Sequence, residues 1–147
     1  MTMFQSNFFD TSVSGPDVWN VVTGSDFSYA GTADFTLTAS ACLLTYNGTS
    51  GRTFLVELSI SIDLNSTHSH AMGISKNGDL IGASALTNAS AAAGAQYGSA
   101  SAGQADTLTS QRRVTLNVND TLQPIGAIFG VTEDMLINSL TLTVIPQ

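Results

Sequence analysis

From Phe54 to Leu64 the chain alternates with a period of two. Phe54, Val56, Leu58, Ile60, Ile62 and Leu64 are apolar, and Glu57, Ser59, Ser61 and Asp63 stand between most of them. Successive side chains on a strand point to opposite faces, so this segment reads as a strand with one apolar and one polar side. At ~3.4 Å per residue it spans about 36 Å, enough to cross a small domain. Leu140, Leu142 and Val144 repeat the pattern against Ser139, Thr141 and Thr143, as do Val114, Leu116 and Val118 against Arg113, Thr115 and Asn117. No segment carries a helical period. Several antiparallel strands, each with one apolar face, bury those faces by stacking as two sheets. The expected fold is therefore all-β, a two-sheet antiparallel sandwich with Phe54–Leu64 as its main core strand.

The same reading places strands at Val18–Thr23, Ala33–Thr38, Cys42–Tyr46, Arg52–Leu64, His68–Ser75, Asp79–Ser84, Leu108–Asn119, Leu122–Phe129 and Leu136–Ile145. Asn47–Gly48 and Asn77–Gly78 supply residues that tolerate positive φ, so each predicts a tight hairpin between antiparallel neighbours. Pro124 cannot donate to a ladder, which predicts an edge or strand-end position. Ser84–Thr107 is small, nearly uncharged and without alternation, and is expected to be a long loop between sheets.

With 147 residues, one domain with one core is the expectation. Only 10% of residues are charged, the net charge is −7, and Lys76, Arg52, Arg112 and Arg113 are the only permanent cations. Four scattered cations cannot neutralise a phosphate backbone or grip an anionic bilayer, so neither nucleic acid nor membrane is an expected partner. Cys42 is alone and forms no internal disulfide. The opening MTMFQSNFFD lacks the basic and continuous apolar regions of a secretory signal, so synthesis in the cytoplasm is expected. The sequons at Asn47, Asn65, Asn88 and Asn119 then read as chance in a chain rich in Asn, Ser and Thr.

Catalysis is not expected. A hydrolytic triad needs a histidine beside a nucleophile and an acid, and His68 and His70 stand in NSTHSHAMG without a nucleophile elbow. Glu57 and Glu133 are the only glutamates and fall on a strand face and in a turn, which leaves a paired-carboxylate site unsupported. GTSGR lacks the lysine and helix of a phosphate loop. No cofactor is expected. His68 and His70, two apart on a strand, share a face. One chain offers too few ligands for a structural metal, but three around an axis would offer six. The competing reading is an ordinary solvent-facing or hydrogen-bonded pair. Arg112–Arg113 reads as a charged strand edge that discourages edge-to-edge pairing, Cys42 as a small core residue, and Trp19 as a plug at the end of the sandwich.

Four segments taken in order carry a resemblance: LLTYNGTSGRTFLVELSISIDL, MGISKNGDLIG, RRVTLNVNDTLQPIGAIFG and INSLTLTVIPQ. Leu44, Tyr46, Gly48, Phe54, Leu55, Val56, Ser59, Ile60, Ser61, Lys76, Asn77, Gly78, Val118, Asn119, Asp120, Leu122, Leu142, Val144 and Ile145 are the residues that match. The chain resembles the jelly roll of the complement globular head and tumour-necrosis-factor superfamily, in the form found in bacteriophage virion structural proteins. That resemblance implies a homotrimer with one sheet of each subunit turned to a threefold axis, and the strand carrying Phe54, Val56, Leu58, Ile60, Ile62 and Leu64 is expected to build both the core and the trimer. It also implies a non-enzymatic virion role, as a capsid decoration or cement protein or a small spike docked on the major capsid protein or another virion protein. The alternative is a receptor-binding head of a fibre or spike, recognising glycan or protein. A secreted ligand of the complement or cytokine type is opposed by the missing signal. The jelly roll is expected over residues 17–147. Residues 1–16, with the apolar Met3, Phe4, Phe8 and Phe9 ahead of Gly15–Pro16, are expected to form a docking arm or an edge strand.

Overall fold

The computed structural model describes residues 2–6, 9–12, 20–22, 28–30, 33–63, 68–80, 96–100, 105–129 and 134–147. Its strands are β1 (Thr2–Ser6), β2 (Phe9–Ser12), β3 (Asn20–Val21), β4 (Ser28–Ala30), β5 (Phe35–Thr38), β6 (Leu43–Tyr46) and β7 (Arg52–Asp63), followed by β8 (His68–Lys76), β9 (Asp79–Leu80), β10 (Gln96–Ala100), β11 (Ala105–Leu116), β12 (Thr121–Phe129) and β13 (Asp134–Pro146). One short 3-10 turn, Ala39–Ala41, ends on Cys42 in the left-handed region at φ 48°. Hydrogen bonding orders one sheet β11-β7-β13-β1-β4, with β2 also on β13. The other runs β10-β8-β12-β6-β5, with β3 on β12 and β9 on β8. All the strand pairs are antiparallel.

Alternation decides which residues meet between the layers. Phe54, Val56, Leu58, Ile60 and Ile62 of β7 are buried together with Leu140, Leu142 and Val144 of β13 and Leu108, Val114 and Leu116 of β11. Leu44, Met72, Ile74 and Leu122 face them from the opposite sheet. At one end Phe35, Tyr46 and Phe54 form a triangle with centroids 5.2 to 5.4 Å apart and tilted or edge-on rings, the arrangement aromatic quadrupoles favour. Cys42 is fully buried, as expected of a small core residue. Leu64 and Trp19 lie outside the described residues.

Several local expectations are corrected. Asn77 and Gly78, at φ 54° and 90°, make the expected two-residue turn between β8 and β9. Asn47–Gly48 does not form a hairpin. β6 and β7 belong to different sheets, neither residue has positive φ, and the segment crosses between layers. Gly48 is required there for another reason: a Cβ at this position would stand 2.0 Å from the Tyr46 hydroxyl oxygen. Pro124 is interior to β12 rather than at an edge. Its carbonyl accepts from Val22 N–H at 3.0 Å, so its nitrogen faces the same flank, where β12 passes from β6 to β3 and no ladder donor is needed. Ser84–Thr107 is not all loop, because Gln96–Ala100 pairs with His68–Met72 and β11 already begins at Ala105.

The terminal segment is also corrected. Thr2–Ser6 is hydrogen-bonded to β13 on one side, from Thr2 opposite Val144 to Ser6 opposite Leu140, and to β4 on the other. A strand paired on both flanks is neither an arm outside the sandwich nor an edge. Met3 and Phe4 lie on β1, whereas Phe9 lies on β2, which among the described residues pairs with β13 alone and so takes the expected edge-strand form; Phe8 is outside the described residues.

Candidate self-association surface

The inward set of β7 leaves its alternate residues on the outer face of the first sheet, and the register aligns them in rows. Thr107, Ser61 and Ser139 form one row; Thr109, Ser59 and Thr141 the next. Gln111, Glu57 and Thr143 follow, then Arg113, Leu55 and Ile145, with Thr115 opposite Thr53 at the end. Of these fourteen positions only Glu57 and Arg113 carry formal charge, and Asp63, opposite Ala105 in the row beyond Ser61, adds a third at the far end of the face. A monomeric sheet exposed to water is ordinarily studded with charge, which keeps it soluble and discourages association. Here hydroxyls replace charge, and hydroxyls lose less on leaving water because they can donate and accept across an interface.

The middle rows form a groove of about 380 Å³ lined by Glu57, Leu58, Ser59, Thr109, Ser110, Gln111, Thr141 and Thr143. Gln111 Nε2 donates to Glu57 Oε1 across the β11–β7 ladder and fixes the carboxylate against one wall. Thr53 and Thr115 share a hydrogen bond of 3.0 Å two rows away. Among the described residues β11 pairs with β7 only and is the sheet edge, as expected for the Arg112–Arg113 strand. Arg112 lies on the inward side, opposite Val56, half-buried and donating to its neighbour's carbonyl, Gln111 O, at 2.9 Å. An inward-pointing charge on an edge strand opposes continuation of the sheet by a stranger.

The two histidines separate in role. His70 is fully buried on β8, and its Nε2 lies 2.9 Å from Asp106 Oδ2 on β11, a contact that ties one sheet to the other. His68 stands two residues earlier on the same strand, opposite Ala100. Among the described residues no group of three or more histidine, cysteine or acidic side chains is disposed to hold a metal ion. An ion shared around an axis needs imidazoles on the subunit surface; His70 is inside the sandwich with its Nε2 committed to a carboxylate.

Two turns whose joined residues, Asn77 and Asp120, are 43 apart in sequence meet at one end of the sandwich. Asp120 Oδ2 accepts from Asn117 N–H at 2.7 Å and from Lys76 Nζ at 2.9 Å, and Oδ1 accepts from Asn77 Nδ2 at 2.7 Å. Asn77 Oδ1 in turn accepts from Thr121 N–H at 2.8 Å. The Asn117 N–H, then the Asn77 amide and the Lys76 ammonium, hold the Asp120 carboxyl down at about 2. The motifs KNG and VND are thus two halves of one staple. Sequence reasoning noticed both as family pattern and had no signal for their contact.

Comparison with solved structures identifies the fold. Murine APRIL at pH 8.5 superposes with a TM-score of 0.57 over 98% of this chain and 97% of that one, at 10% identity. Eiger TNF from S. frugiperda gives 0.50 over 96% and 90%, at 12% identity. The globular domain of zebrafish complement 1qA gives 0.49 over 97% and 96%, at 11% identity. No protein-family model matches the chain, and no curated protein matches it. The chain has a jelly roll of the tumour-necrosis-factor type.

Proposed function

We propose that this chain is a non-enzymatic structural protein that assembles as a homotrimer through the outer face of the β11-β7-β13-β1-β4 sheet. The observation that carries the reading is that face: three long strands whose outward positions hold three charges, Asp63, Glu57 and Arg113, and a predominance of Ser and Thr. A sparsely charged, hydroxyl-rich face of that extent is suited to burial against copies of itself. The resemblance to trimeric heads, which implies one sheet of each subunit turned to a threefold axis, supports self-association. Within that class we assign the protein to a bacteriophage virion, as a decoration or cement protein or small spike on the capsid, on the strength of the segments TYNGTSGRTFLVELSIS and SKNGDLIG. Because β1 is part of the sheet, docking to a shell would use loops or the second sheet rather than a free arm.

Sedimentation equilibrium of the purified chain tests the assembly, with a mass three times 15.3 kDa expected at micromolar concentration. A lone subunit there overturns it. Electron microscopy of particles labelled through this chain tests the virion role, and density related by threefold symmetry on the shell is expected. Particles that carry no label overturn that role.

A further inference from the structure

The groove on the outer face holds one carboxylate and no cation of its own. Glu57 Oε1 is taken by Gln111, and Oε2 has no hydrogen-bond or ion-pair partner among the described residues. The four permanent cations can be traced in turn. Lys76 is engaged by Asp120 and donates to Thr115 O. Arg52 lies 5.8 Å over the Phe54 ring. Arg112 points inward and donates to Gln111 O. Arg113 alone is exposed on the outer face, opposite Leu55, with no ion pair to any described residue.

Resting on the threefold reading above, we propose that Arg113 of one copy enters the groove of its neighbour and pairs with Glu57 there. Arg113 lies diagonal to Glu57 on the adjacent strand, one row or about 7 Å along the sheet, an offset an arginine side chain can span. In a heterologous interface, the kind that closes into a ring of three, one part of the face meets a different part of the next copy. Three guanidiniums then alternate with three Glu57 carboxylates around the axis, each reaching across one row. The hydroxyls of Ser59, Thr109 and Thr141 and the Gln111 side-chain carbonyl offer acceptors for the remaining guanidinium donors. Sliding the copies out of register would bury Glu57 without a counter-charge, so the pair sets register and partner choice.

The test is a charge swap on the full chain, read by sedimentation equilibrium with circular dichroism as the check of folding. Glu57→Arg and Arg113→Glu each raise the dissociation concentration of the trimer about tenfold or more, and the double swap returns it to within about threefold of the original. If either single swap unfolds the chain, Glu57→Gln and Arg113→Gln are read in the same way. A trimer that withstands the single substitutions overturns the pair and leaves the threefold reading standing. Single substitutions that lower the melting temperature while the trimer persists place the pair within one chain and also overturn it. An original chain that sediments as a monomer overturns the threefold reading itself.

Discussion

Replacing Asp120 with asparagine keeps the shape of the turn staple and removes its charge. The carboxylate accepts three hydrogen bonds, from Asn117 N–H, Asn77 Nδ2 and Lys76 Nζ. An amide in its place offers one oxygen fewer and turns a donor toward donors. The Asp120 carboxyl falls from 3.8 to about 2 on folding. At about 1.4 kcal/mol for each pH unit, that difference corresponds to ~2.5 kcal/mol. The side chain is 14% exposed and its partners lie at the surface, so solvent screening reduces this to roughly 1–2 kcal/mol. Because the group ionises more readily in the folded chain, the contribution is complete above the unfolded value near 4. It is lost as the pH falls through about 2. Asp120→Asn should therefore lower stability by ~1–2 kcal/mol at pH 7, roughly 3–6 °C in melting temperature for a domain of this size. By pH 2.5 less than half of the gap should remain. The assay is urea denaturation of both proteins from pH 7 to pH 2.5 at one protein concentration, which keeps any assembly term constant. A gap of undiminished size at pH 2.5, or none at pH 7, refutes the account.

Other consequences are more local. Gly48→Ala places a methyl group against the Tyr46 ring, which also donates from its hydroxyl to Ser50 O at 3.0 Å, and should cost about 1–3 kcal/mol in chemical denaturation. An unchanged midpoint would show that the ring moves aside freely. Burial pushes the Cys42 thiol far up, out of its reactive range, so a thiol reagent at pH 8 should label the native chain far more slowly than the urea-unfolded chain. Equal rates would place Cys42 outside the core. With His70 Nε2 engaged by Asp106, EDTA should leave the melting temperature unchanged; a fall of several degrees would restore the metal reading.

The long strands were legible because their information is local. Phe54 through Ile62 alternate, and the alternation alone says which side is buried, since a pleat has period two. Asn77–Gly78 was legible for the same reason, its backbone preference residing in the two residues themselves. Asn47–Gly48 carried the same signal and took another role, because Tyr46 packs across it and β6 and β7 part into different sheets. Thr2–Ser6 and Gln96–Ala100 are five-residue strands with no strong alternation, and what makes them strands is a partner far along the chain. The one candidate ligand pair, His68 and His70, was correctly placed on a strand, but nothing in NSTHSHAMG pointed to Asp106, 36 residues beyond His70.

By itself the amino-acid order determined the class of fold, the inward face of each long strand, and the scarcity of charge that leaves one sheet face open to association. Only the tertiary structure decided the sheet order, the place of β1 inside it, and the meeting of Lys76, Asn77 and Asp120. It also decided that, of the four cations, Arg113 should stand exposed on the same face as Glu57. Periodicity is a property of neighbours along the chain, whereas pairing is a choice among strands of similar pattern, made by which arrangement buries the most apolar surface with every ladder closed.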